Sequence, residues 1–150
     1  MYTIGHSNRD LREFIRILKF YRINTLIDVR RFPTSRIVPH FKREILENEL
    51  LAHNIKYVWL GDLLGGYRRG GYEAYMSSEE FKEGLNKLIN IVTSSEGYVA
   101  LMCSEKLWFR CHRRFIANKL VEKGFEVIHI IDIDRVQRHK IKRSLMRKDL

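Results

Sequence analysis

The sequence predicts a single α/β domain, with a mostly parallel sheet of about five strands and helices on both faces. Three observations predict it. Short apolar runs alternate with amphipathic helical patterns along the chain. Segments leading from helix into strand are short, whereas those leaving strands are long and rich in glycine and polar residues. A chain of 150 residues, 45% of them hydrophobic, also has enough apolar side chain for one core.

Tyr2 to Ile4 reads as the first strand. Leu11, Phe14, Ile15 and Leu18 follow at the i, i+3, i+4, i+7 spacing of a helix that buries one face, with Ser7 or Asn8 as its N-cap. Thr25 to Val29 is the second strand. Ile45, Leu46, Leu50 and Leu51 make a short helix ending near Asn54, and Tyr57 to Leu60 the third strand. Phe81, Leu85, Leu88, Ile89 and Val92 mark the clearest helix, opened by Ser77 and Glu80 at capping-box spacing. Tyr98 to Met102 is the fourth strand. A last helix runs from about Arg110 through Ile116 and Leu120 to Gly124, a natural residue for leaving a helix, and Phe125 to Ile131 closes the sheet. Residues 1–134 thus form the domain and 135–150 a basic tail.

Net charge is +10. The tail has seven basic residues against Asp149 alone, so it carries +6 and the body +4. Such an excess suits a polyanionic or phosphorylated partner, nucleic acid or a phosphorylated small molecule, although a charge run also serves simply as a solvated end. No stretch approaches the roughly 18 apolar residues of a membrane helix, so no membrane partner is expected. Two cysteines do not make a disulfide framework, and a reducing, cytoplasmic setting is the expectation.

Open α/β sheets bind ligands at the carboxyl ends of their strands, which is where the long loops fall. After the first strand, Gly5-His6-Ser7 offers an imidazole for acid-base work; Ser7 doubles as a possible cap. After the second, Asp28-Val29-Arg30 leads into Arg31, Ser35 and Arg36. Three arginines with hydroxyls suit an oxyanion, and Asp28 is either a general base or the partner of Arg30. The stretch Gly61 to Met76 is too long for an unstructured loop in a compact domain and is therefore a lid or an unrecognised element. Within it Gly65, Gly66 and Arg68 permit close approach and phosphate contact, while Tyr67 and Tyr72 offer stacking faces. It matches neither a P-loop nor a dinucleotide fingerprint.

The fourth loop, Cys103 to Arg114, is the richest. Cys111 and His112 are expected in a first helical turn, where free backbone N–H groups favour a thiolate or a bound anion, and Arg110, Arg113 and Arg114 push the same way. Cys103 or Cys111 as nucleophile with His6 or His112 as base, two cysteines with two histidines on zinc, and arginines holding phosphate all remain open. Seven residues between the cysteines is not a usual zinc spacing. Two small buried thiols, or a disulfide in a hyperthermophile, are the plainer alternatives. Glu105, two residues past Cys103, adds an acid for proton transfer or for holding His112. His129 and His53 read as structural.

Thr3-Ile4-Gly5-His6-Ser7, Asp28-Val29-Arg30 with Pro33 and Ser35, Phe41, Leu60 with Gly65-Gly66 and Arg68, Tyr75-Met76, Phe81, Cys103-x-Glu105 and Cys111-His112-Arg113 occur in this order. The pattern resembles the family called domain of unknown function 488, over roughly Tyr2 to Ile130. The resemblance implies the α/β fold and names no reaction. One departure is Leu107-Trp108, where members often carry an Asp-Pro pair; the tail lies outside the resemblance.

These residues point to an enzyme-like protein with a phosphate-bearing substrate. His6, Asp28, Cys103 and Glu105 are the candidates for chemistry. Ser7, Arg30, Ser35, Arg36, Gly65, Gly66, Arg68, Cys111, His112 and Arg113 are the candidates for binding. No metal site and no particular cofactor are implied. A non-catalytic nucleic-acid-binding module, with Tyr67, Tyr72 and Trp108 stacking on bases, and a thiol redox or metal protein are the alternatives.

Overall fold

The structure, a computed structural model, describes residues 1–141. Six strands form one sheet: β1 Tyr2–Gly5, β2 Ile23–Asp28, β3 Lys56–Trp59, β4 Tyr98–Cys103, β5 Ile128–Asp132 and β6 Arg135–Arg138. Their order is β3-β2-β4-β1-β5-β6, all parallel except the antiparallel β5–β6 pair. The helices are α1 Leu11–Phe20, α2 Arg43–Ala52, α3 Gly61–Leu64, α4 Tyr72–Tyr75, α5 Glu79–Ser94 and α6 Arg113–Glu122.

Strand side chains alternate between the faces, as a two-residue period requires. Ile4, Leu26, Ala100 and Met102 pack with Phe14, Leu18, Leu46 and Leu50 beneath α1 and α2. Ile27, Val99, Leu101 and Cys103 pack with Leu85, Leu88, Ile116 and Leu120 beneath α5 and α6. The helices that follow β1 and β2 therefore cover one face, and the helix that follows β4, the strand between them, covers the other. The chain parts in opposite directions on both sides of β4, which opens a crevice at its carboxyl end.

The expected α/β class holds, with several local differences. The sheet has six strands rather than about five, because Arg135–Arg138 pairs with β5 instead of beginning a tail. All four of its residues are exposed, so no apolar alternation announced it; charged residues are what a sheet edge carries to discourage further pairing. The rest of the predicted tail, residues 142–150, lies outside the described residues. Gly61 to Met76 holds two one-turn helices, not one long loop. Asp10, not Ser7 or Asn8, caps α1 by accepting from Arg12 N. Ser78, not Ser77, caps α5 by accepting from Phe81 N, and because Phe81 stands at the third position no carboxylate returns the bond. The last helix begins at Arg113, after a 3₁₀ turn at Trp108–Arg110, so Cys111 precedes it and His112 is its N-cap.

Candidate functional site

The crevice is assembled around the end of β4. His6 N donates to Cys103 O at 2.8 Å and Ser7 N to Ser104 O at 2.9 Å, carrying the β1–β4 pairing past the strand ends. A Cβ on Gly5 would lie 1.8 Å from Glu105 O, so only glycine lets these loops approach so closely. Ser7 (φ 51°) and Tyr67 (φ 61°), both beside the crevice, adopt the left-handed conformation that costs a non-glycine residue energy. The result is a cleft of about 770 Å³, walled by the loops after β1, β2, β3 and β4.

One wall is a closed electrostatic network. Asp28, fully buried, takes Nε and NH2 of Arg30 at 2.9 and 2.8 Å and the hydroxyl of Tyr57 at 2.5 Å. Arg30 NH1 donates to Phe41 O at 2.8 Å and to His6 Nε2 at 3.3 Å. A guanidinium can only donate, so His6 carries its proton on Nδ1 and gives it to Ser7 O at 2.7 Å. Burial, aided by Arg30, pushes His6 down to about 4, and its ring stacks on Phe41. His6 is thus a neutral wall residue with both nitrogens engaged, and Asp28 is shut behind Arg30 rather than open to the cleft.

The opposite wall carries the sulfurs. Cys103 closes β4 and is 2% exposed; Cys111 is half-buried on the cleft. Their Sγ atoms are 3.1 Å apart and unbonded. Cys111 Sγ also accepts from Arg113 N at 3.3 Å and Arg113 Nε at 3.5 Å. The hydrogen bond from Cys103 pulls Cys111 down to about 5 against the opposing effect of burial, with the charge of Arg113 adding to it. Burial, together with that same bond, pushes Cys103 up. The donors around Cys111 and the charge of Arg113 favour the thiolate there, with the proton kept on Cys103.

Arg113 is fully buried and lies behind the cleft rather than on it. Its remaining bonds go to Glu105 O at 2.7 Å, Lys106 O at 3.4 Å and Thr3 Oγ1 at 3.1 Å. Thr3 leads on through His129 Nδ1 (2.5 Å) and His129 Nε2 to His139 Nδ1 (2.9 Å), and His139 Nε2 meets Asn118 Oδ1 at 2.6 Å. The sequence held no local signal for this chain of bonds, whose members come from β1, α6, β5 and the residue after β6. Trp108 stacks on His129 at 4.5 Å, so that face is not available to a base.

Several expected contacts are engaged elsewhere. Arg68 donates to Gly65 O and Asp62 O and lies over Tyr75, so it clasps its own loop instead of meeting an anion. Arg36 is exposed and off the cleft. Ser35 lines the cleft, while its hydroxyl caps a turn by accepting from Val38 N. Ser7 lies just outside, its hydroxyl turned to Asn8. His112 donates Nε2–H to Val29 O at 2.9 Å, so Val29 and not Glu105 holds it; its Nδ1 faces Gly66, where an added Cβ would come within 3.2 Å. Gly65 needs to be glycine because a Cβ would strike Gly61 O at 2.3 Å. Glu105 stands exposed at the mouth. Arg31, Arg110 and Arg114 line the cleft, and so do Phe32 and Phe109, two exposed aromatics that sequence reasoning missed because exposure is invisible in a lone apolar residue. Among the described residues no group of three or more His, Cys, Asp or Glu side chains converges as a metal site, and no helix is long and apolar enough to cross a membrane.

A family model described as Domain of unknown function DUF488 matches residues 10–120. The match takes in the loops after β2, β3 and β4 and stops short of Gly5-His6-Ser7. No curated protein matches the chain.

Proposed function

The chain belongs to the DUF488 family, and from that premise we propose that its cleft is the active site of a thiol enzyme whose substrate bears phosphate, a nucleotide or nucleic acid. The observation that carries the reading is the set of donors converging on one cleft sulfur: Cys103 Sγ at 3.1 Å, Arg113 N at 3.3 Å and Arg113 Nε at 3.5 Å from Cys111. A thiolate, not a thiol, is the nucleophile, and a helix start beside a buried guanidinium favours the thiolate.

In this reading Cys111 attacks, and Cys103 moves from nucleophile to hydrogen-bond donor. Arg110 and Arg114, exposed on the cleft, supply positive charge for the phosphates, and Arg31 lines the same cleft. Phe32, Tyr67 and Phe109 offer faces on which a base stacks, and such stacking contributes about 1–3 kcal/mol per base. The acceptors left for a proton are Nδ1 of His112 and the carboxylate of Glu105. Arg30, held by Asp28, and His6 shape the far wall.

The test is fluorescence-anisotropy titration of labelled oligonucleotides at two salt concentrations, with iodoacetamide alkylation of Cys111 followed in parallel. Binding with a negative log K against log salt slope, reduced by about 1–2 in Arg110→Ala/Arg114→Ala, is expected. Saturating oligonucleotide should slow alkylation. Absence of both binding and protection sinks the nucleic-acid reading; failure of Cys111 to alkylate below pH 7 sinks the thiolate.

A further inference from the structure

Cys103 is more than a hydrogen-bond donor, because its position relative to Cys111 is that of a second thiol able to attack the first. The two Sγ atoms need to close by only about 1 Å to reach disulfide bonding distance. Cys103 is fixed at the end of a central strand, and Cys111 is tethered eight residues later on the short segment that enters α6. Both cysteines line the cleft, Cys111 half-buried and Cys103 only 2% exposed. We propose that Cys111 and Cys103 form a dithiol–disulfide couple that exchanges with a low-molecular-weight disulfide, Cys111 attacking and Cys103 resolving. The proposal rests on the reading of Cys111 as the cleft's reactive thiolate.

The steps balance. The Cys111 thiolate attacks one sulfur of RS–SR, giving Cys111–S–SR and RS⁻, which takes a proton from solvent. Cys103 then loses its proton to solvent, and its sulfur attacks Cys111 Sγ, expelling the second RS⁻, which also takes a proton from solvent. One disulfide is reduced to two thiols, and the protein's two thiols are oxidised to Cys103–Cys111.

The order of attack follows from the surroundings. While Cys111 is a thiolate, its charge and the hydrogen bond it receives keep the proton on Cys103. Capping Cys111 as a mixed disulfide removes both restraints. The positive charge of Arg113, no longer matched by the Cys111 thiolate, then favours the Cys103 thiolate. The resolving thiol becomes reactive only once there is something to resolve, and the oxidised pair has no nucleophile to offer a phosphate-bearing substrate.

The experiment treats the reduced full chain at pH 6.5 with glutathione disulfide, blocks remaining thiols with N-ethylmaleimide and reads intact mass, alongside Cys103→Ser and Cys111→Ser. Expected are wild type that has lost two hydrogens, with both cysteines unblockable and glutathione adduct under about a tenth of the product; Cys103→Ser that accumulates one stable adduct; and Cys111→Ser that does neither. A wild type that accumulates the adduct overturns the couple. A wild type inert to glutathione disulfide, yet alkylated at Cys111 by iodoacetamide at the same pH, overturns the couple and leaves the thiolate reading standing. Inertness to both reagents overturns both.

Discussion

Arg30 and Arg113 are buried on opposite sides of one crevice, 6% and 0% exposed, and their difference lies in the counter-ion. Arg30 faces a carboxylate, Asp28, which binds it through two nitrogens while accepting also from Arg30 N and Tyr57. That network is closed. Arg113 has carbonyls, a hydroxyl and a sulfur around it, and among the described residues no carboxylate within ion-pair distance. A buried cation without an anion is costly, so the structure gains whenever Cys111 ionises. The same residue type at the same depth is a strut where a carboxylate answers it and an activator where only a thiol can.

The largest expected effect comes from breaking the closed side. Asp28→Asn leaves Arg30 buried without its partner and should cost about 3–5 kcal/mol in urea denaturation, with the pH profile of Cys111 alkylation unchanged. A loss under about 1 kcal/mol would mean that the Arg30 side is not closed.

Next in size is acid. Burial lowers His6 to about 4 and His129 to about 3, both from an ordinary 6.5. The unfolded chain takes up protons below pH 6.5 that the folded chain refuses, so these histidines make stability fall as pH drops from about 6.5 to 4, on top of a fall that Cys111, lowered from 9 to about 5, starts from about pH 9. Each of these histidines contributes up to roughly 3 kcal/mol of that loss. His129→Asn should shallow the slope in thermal melts across this window; a slope equal to wild type would show that His129 is not held neutral.

Arg113→Met tests the open side directly. Removing the guanidinium should carry Cys111 up from about 5 toward the ordinary thiol range, past the pH at which alkylation is followed. Once its pKa exceeds that pH, every further rise of one unit in the pKa leaves a tenth of the thiolate, so alkylation at pH 6.5 should slow by about tenfold or more. Arg113→Lys keeps charge without the planar fork and should fall between. An unchanged profile in Arg113→Met would break the comparison. The smallest effect belongs to Arg36, exposed and off the cleft: Arg36→Ala should change oligonucleotide affinity by less than about twofold, well under the Arg110/Arg114 pair.

Much of the frame was legible in the sequence. Periodicity placed α1 and α5, because Phe14, Leu18, Phe81 and Leu88 each reach the core from one helix stripe. The contrast between short and long connections located the crevice, since only one end of a parallel sheet carries strand-leaving loops. Asp28 and Arg30, two apart at a strand end, were readable as a pair. Cys103 and Cys111 were readable as lying in one stretch on the working side, while whether the sulfurs met was not.

Which cysteine ionises, which arginines face solvent and what answers each charge were decided by the fold alone. Local sequence sets backbone period and loop length, both short-range. Burial and counter-ion are set by residues brought together from afar, such as Thr3 on Arg113, 110 positions away, and Tyr57 on Asp28, 29 positions away. Arg68, Arg110 and Arg113 look alike in the chain. Packing makes the first a clasp for its own loop, leaves the second at the cleft mouth, and seals the third behind a sulfur whose charge it favours.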